Sequence, residues 1–108
     1  MNIKYVVAIV RSDALDALES RLQAIRVDGL TVSRVKGYGE YKNLFTNDWM
    51  TEHTKVEIFA EESKVQAITG ALLEISRSDV PGAGIVAVLS TERFVHLRTG
   101  AESLPDAF

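Results

Sequence analysis

Two glycine pairs in this chain lie near cations: Lys36-Gly37-Tyr38-Gly39, and Gly82-Ala83-Gly84 with Arg98 further downstream. Glycines at alternate positions strip Cβ from one side of the backbone, so a ligand can come close to bare N–H groups. Two such loops beside positive charge are what a phosphate or another anion requires. Either pair alone reads first as a turn or a bulge, and only the combination points to an anion site. Catalytic patterns are missing: there is no G-x-S-x-G, Walker A, H-E-x-x-H or Ser-His-Asp arrangement. Arg11-Ser12-Asp13 lacks the glycines that a phosphate cradle after the first strand would use. The chain therefore reads as a non-enzyme.

These loops need elements to hold them. Lys4 to Val10 is a near-continuous apolar run rich in β-branched residues, which predicts a central strand. Ser12 or Asp13 can cap the helix that follows, whose apolar face is Leu15, Leu18, Leu22 and Ile25. Asp16 near its start and Arg21 and Arg26 near its end suit the helix dipole, and Asp28-Gly29 predicts its stop. A second strand covers about Leu30 to Tyr38. The polar stretch from Gly39 to Thr54 shows neither period and reads as a long loop. Lys55 to Ala60 alternates Val56, Ile58 and Ala60 against Lys55, Glu57 and Phe59, which predicts a third strand. Ser63-x-x-Gln66 has the form of a capping box, and Val65, Ile68, Leu72 and Ile75 form a second helical face. Arg77 to Gly84 reads as a loop and Ile85 to Leu89 as a buried strand. Arg93 to Arg98 extends that strand or forms another.

The order β-α-β, loop, β-α-β is that of a split βαβ unit. The predicted fold is an α+β ferredoxin-like sandwich, a four-stranded antiparallel sheet with two helices on one face. The first and last strands are apolar on both faces, so the other face must be covered as well, and a further subunit is the natural cover. The 108 residues suit one domain, 1–108, ending in a tail over 100–108. Hydrophobic content of 46% with 25% charged residues is that of a soluble globular protein. No Cys is present, and the two His are far apart, which argues against disulfides and clustered metal sites. A net charge of −3 offers no basic footprint for nucleic acid. Neither a signal h-region nor an apolar run of membrane-spanning length is present, so a cytoplasmic location is expected.

Leu30-Thr31-Val32-x-x-Val35-Lys36-Gly37-Tyr38-Gly39, Lys55-Val56-Glu57-Ile58, Gly82-x-Gly84 and Val95-x-Leu97-Arg98-Thr99-Gly100 resemble, in order and spacing, the PII family of signalling proteins. The resemblance runs from about Ile3 to Gly100. It implies a homotrimer that binds adenine nucleotide in clefts between subunits and moves a long loop onto a transporter or another protein target. Ile9 and Thr31 match adenine-pocket positions, and Gly37 and Gly39 match the base of the long T-loop, here about 40–54. Gly82 and Gly84, flanking Ala83, match the phosphate-facing B-loop, about 77–84. Arg98 matches an arginine that reaches phosphate from the last strand. Lys36, Tyr38 and His96 complete the expected nucleotide site.

The departures from the family pattern lower its positive charge. Glu40 stands where a basic residue is usual, Tyr41 replaces a glutamine, Ile85 a lysine and His96 an arginine. His53 falls near the lysine that anchors 2-oxoglutarate. Each charge-assisted bond is worth about 1.5–3 kcal/mol, so a triphosphate loses more here than a di- or monophosphate. The expected effector is thus ADP or AMP, with ATP weaker, and no obligatory cofactor or metal. Glu40, Tyr41, Asn43, Phe45 and Trp49 are the expected partner-binding residues, Trp49 as an anchor or folded back on its own assembly. The shortened loop resembles that of relatives tied to bicarbonate transport or carboxysomes, which makes bicarbonate a candidate co-ligand. A weak nucleotide hydrolase using the same cleft, and a metal- or amino-acid-binding sensor of the same fold, are the alternatives.

Overall fold

The computed structural model describes residues 2–39, 50–79 and 82–105. Four strands form one antiparallel sheet: β1 (Ile3–Val10), β2 (Thr31–Gly37), β3 (Thr51–Glu61) and β4 (Gly84–Ser90), in the spatial order β2-β3-β1-β4. Helix α1 (Leu15–Ala24) connects β1 to β2, and α2 (Val65–Ser76) connects β3 to β4. Each connection skips one strand, which is the split βαβ arrangement predicted. The apolar run of β1 takes the centre, with β3 on one side and β4 on the other.

Strand alternation sends Val6, Ala8 and Val10 of β1 and Val56, Ile58 and Ala60 of β3 to one face. There they bury Leu18 and Leu22 of α1 and Ile68, Ala71 and Leu72 of α2. The two helical faces read from the sequence are these. Gly70 lies on the exposed side of α2, and a Cβ built there meets no atom within 4 Å. Gly70→Ala is therefore expected to raise stability by about 0.5–1 kcal/mol, seen as a higher urea midpoint. An unchanged or lower midpoint would contradict this placement.

The structure corrects several local expectations. Neither helix has a side-chain N-cap bond: each starts from a short 3-10 turn, Ser12–Ala14 or Glu62–Lys64. Ser12 Oγ instead lies 2.9 Å from the buried Thr54 Oγ1, and Asp13 pairs with Arg11. The Ser63-x-x-Gln66 box does not form. Helix α1 ends at Ala24, ahead of Asp28-Gly29: Arg26 takes a left-handed φ of 64°, and the Val27 and Arg26 N–H groups donate to the Leu22 and Gln23 carbonyls. Strand β3 begins at Thr51, so 51–54, expected in the loop, ladder against Arg34 to Gly37. Strand β4 is an edge, not a buried strand, with Ile85 66%, Val88 43% and Leu89 48% exposed. Residues 93–98 are not a strand. Glu40, Tyr41, Asn43, Phe45 and Trp49 lie outside the described residues. Among the described residues no helix is long and apolar enough to cross a membrane.

Candidate functional site

The sheet face turned away from the helices carries a glycine-lined cleft, the candidate site. At its β2 C-terminal end, β2 runs into Tyr38 and Gly39, β1 brings Ile9, the loop before β4 brings Gly82, and the first residue of β4 is Gly84. They enclose a cleft of about 370 Å³, completed by Val35, Lys36, Gly37, Thr51, His53 and Ile85. Seven expected residues meet here: Ile9, Lys36, Gly37, Tyr38, Gly39, Gly82 and Gly84. Lys36 borders the cleft, although the ladder pairs it with Glu52 on the face opposite Val35 and His53. Ala83 lines a smaller apolar hollow beneath the loop, against Leu72, Leu73 and Val86.

The glycines differ in what they permit. Gly82 and Gly84 have φ of 89° and 115°, conformations that a side chain resists. Gly37 and Gly39 are not in the left-handed region, and a Cβ on either meets nothing within 4 Å. The bend at Gly37 thus needs no glycine for its backbone. The missing side chain there keeps the cleft open.

Thr31, His96 and Arg98 lie elsewhere. Thr31 opens β2 and Gly37 closes it, about 20 Å apart at 3.3 Å per residue. Residues 93–105 form a strap over the Thr31 end. Phe94 stacks on Phe59 at 5.3 Å, Phe59 on Tyr5 at 5.0 Å, and the His96 ring meets Phe94 edge-on at 5.2 Å. The His96 N–H donates to the Ala101 carbonyl, and the Gly100 N–H, at φ 70°, donates back to the His96 carbonyl. His96 Nε2 lies 3.0 Å from the Leu104 carbonyl oxygen, so this nitrogen carries the proton. The strap bonds to itself around a turn rather than to a sheet edge, which is why a β-prone segment is not a strand. Leu97, at 99% exposure, and Arg98 sit at the tip. With Glu57 and Phe59 they border a second hollow of about 480 Å³ that shares no residue with the first.

Tyr5 Oη donates a 2.6 Å hydrogen bond to Glu57 Oε2 between these two ends. That bond, then burial and the carboxylate's charge, push the phenol above its usual range. Lys55 lies 3.8 Å from Glu57 Oε1, so the middle of the open face is a small polar patch held by the sheet.

Sequence reasoning gives Thr51 no part in the site and sets His53 only near a 2-oxoglutarate anchor, whereas both line the cleft. Their signal was present: they stand two apart, so in a strand they share a face. Read as loop, Thr51 has no face, because alternation has meaning only in a strand.

A split βαβ sheet with two helices on one face, and glycine-lined loops at one end of the other, defines a ferredoxin-like α+β domain. A family model described as nitrogen regulatory protein P-II matches residues 3–101. Nitrogen regulatory protein P-II of Cereibacter sphaeroides is 30% identical over 91% of this chain and 94% of its own length. Nitrogen regulatory protein GlnK1 of Methanosarcina mazei is 32% identical over 97% of each chain. The solved structure of Bacillus subtilis GlnK superposes with a TM-score of 0.81 at 25% identity, covering 96% of this chain and 97% of that one. The chain belongs to the PII family. It is a signal-transduction protein rather than an enzyme.

Proposed function

We propose that this protein is an adenine-nucleotide sensor that acts as a homotrimer, with the nucleotide held between the glycine cleft of one subunit and the Arg98 strap of the next. The observation that carries this reading is the division of the expected site between two ends of β2, about 20 Å apart. A nucleotide in the cleft would therefore meet Arg98 only from a second subunit. Strand β4 favours the same assembly. An apolar edge left bare invites pairing or covering, whereas β2, the opposite edge, carries Arg34 and Lys36.

Charge sets the nucleotide. The cleft has Lys36 beside it and Ile85 where relatives place a cation, and Arg98 arrives from outside. Each further phosphate adds negative charge to the same few donors. ADP or AMP then binds at least as tightly as ATP, and 2-oxoglutarate with Mg-ATP gives no synergy. Occupancy biases the segment between β2 and β3 between states with different affinity for a protein target. The candidate setting is inorganic-carbon uptake or carboxysome function, with bicarbonate as a co-ligand.

Light scattering should give about three times the 11.9 kDa chain mass. Calorimetry with AMP, ADP and ATP, each alone and with bicarbonate or 2-oxoglutarate, should rank ADP or AMP first or level with ATP. A monomer would remove the shared site. Far tighter Mg-ATP binding, or a strong 2-oxoglutarate response, would return the chain to ordinary nitrogen-sensing behaviour.

A further inference from the structure

His53 joins the two glycine loops. Its Nε2 lies 3.0 Å from the Gly82 carbonyl oxygen, and its Nδ1 lies 3.4 Å from Thr51 Oγ1. Thr51 Oγ1 in turn donates to the Gly37 carbonyl oxygen at 3.2 Å. A chain of contacts thus runs from the loop before β4 to the end of β2, the two walls of the cleft.

The hydrogens in this chain can be counted. A carbonyl oxygen only accepts, so the Gly82 bond requires a proton on Nε2. The Gly37 bond uses the single hydroxyl proton of Thr51. With a neutral imidazole, Nδ1 is then a bare lone pair facing the Thr51 oxygen, and the hydroxyl can serve Gly37 or His53 but not both. With a second proton on the ring, every contact is satisfied: Nδ1–H donates to Thr51 Oγ1, and Thr51 donates to Gly37. One added proton converts a broken chain into a continuous one. Imidazole is the side chain that changes charge between about pH 5 and 8.

The surrounding charges bear on this. From the β2 side the cleft presents Lys36 and Tyr38, and from β3 Lys55 stands two residues along, held by Glu57. Arg11, just past β1, is engaged by Asp13. Ile9, Val35, Gly82, Gly84 and Ile85 bring no charge. The described lining of the cleft thus presents a cation and no carboxylate, a charge setting that an anion complements.

We propose that His53 is a proton-operated clasp that ties the Gly82 loop to Gly37 and couples phosphate binding in the cleft to proton uptake. This rests on the nucleotide reading above. His53 is a positioning residue here: it sets the separation of the two walls. Binding linkage is reciprocal, so a phosphate ligand that prefers the clasped cleft is bound more tightly as pH falls.

Two measurements test the clasp in the intact protein. The first uses no ligand: the carbonyl ¹³C shifts of Gly37 and Gly82 are followed from about pH 8 to about pH 5.5. Both should titrate with one midpoint shared with the His53 ring nitrogens, and neither should in His53→Gln. Thr51→Val, which removes the hydroxyl but keeps a strand-forming shape, should lose the Gly37 response and keep that of Gly82. The second is ADP affinity by calorimetry at both ends of that range. The wild type should gain about fivefold or more over His53→Gln on acidification, the scale of typical site coupling. Protonation of ADP itself and of every group the two proteins share is common to both and cancels in that ratio. Separate midpoints for the two carbonyls, or an ADP ratio that does not move with pH, would overturn the clasp. If ADP binds at no pH, the nucleotide reading fails, and the carbonyl titration alone decides the clasp.

Discussion

Gly84→Ala is expected to destabilise the fold by on the order of 3–5 kcal/mol, the sum of strained backbone and overpacking. A Cβ at this position would stand 1.9 Å from the Ile9 carbonyl oxygen, 2.9 Å from its carbon and 3.1 Å from Val10 Cα. All three are backbone atoms of the central strand, so no side-chain rotation relieves the clash. The φ of 115° is a further penalty for any side chain. Gly84 pairs with Val10 at the start of the β1–β4 ladder, so relief means opening that ladder from its end. Against a typical total stability of about 5–15 kcal/mol, a loss of this size leaves little margin. Gly37→Ala is the matched control. No atom lies within 4 Å of its Cβ and its φ is ordinary, so its urea midpoint should stay close to that of the wild type. Equal midpoints for the two variants would show that the close approach of β4 to β1 is wrong.

Arg98→Ala and Gly37→Val should each abolish or cripple nucleotide binding alone, and binding should return when the two chains are mixed in one trimer. Arg98 is exposed at the tip of its turn, so its loss costs the fold little. In binding it removes one charge-assisted bond, about 1.5–3 kcal/mol or roughly 10- to 150-fold. Gly37→Val acts by sterics: the strand tolerates a β-branched residue, but the side chain would project into space the ligand needs. The two lesions lie at opposite ends of β2. In a mixed trimer of either composition, one interface sets an intact cleft against an intact Arg98 strap. Calorimetry on co-expressed, differently tagged chains should then recover about one site per trimer with wild-type affinity. A mixture that binds no better than its parents would place the whole site within a single chain and refute the shared cleft. Undiminished ADP affinity in both parents would place the site elsewhere altogether.

Local pattern carried much of this protein. The period of two over Val56, Ile58 and Ala60, and the helical spacing of Leu18 and Leu22 and of Ile68 and Leu72, predict elements that the structure contains. Those periods are set by burial, and burial on one side is what a regular element must achieve. The errors fall where a partner distant in sequence decides. Ser12 is a good helix cap by type, but Thr54, brought alongside by β3, holds its hydroxyl. Residues 51–54 are polar and aperiodic, yet they are strand because backbone ladder bonds to β2 are indifferent to side-chain polarity. The segment 93–98 is rich in strand formers, but stacking of Phe94 on Phe59 and the turn closed at Gly100 offer it a different set of bonds.

The site divides along the same line. Sequence alone determined the family, the fold and which glycines line the cleft, because those choices are written in residue type and spacing. It could not determine that Gly37 and Thr31 stand at opposite ends of one strand, or that Gly82 needs its φ while Gly37 does not. Nor could it bring His53 between two loops that lie 29 residues apart on one side and 16 on the other. Those facts depend on which strands pair and in what register. Register is a property of the whole sheet, fixed by the burial of every strand together rather than by any segment alone.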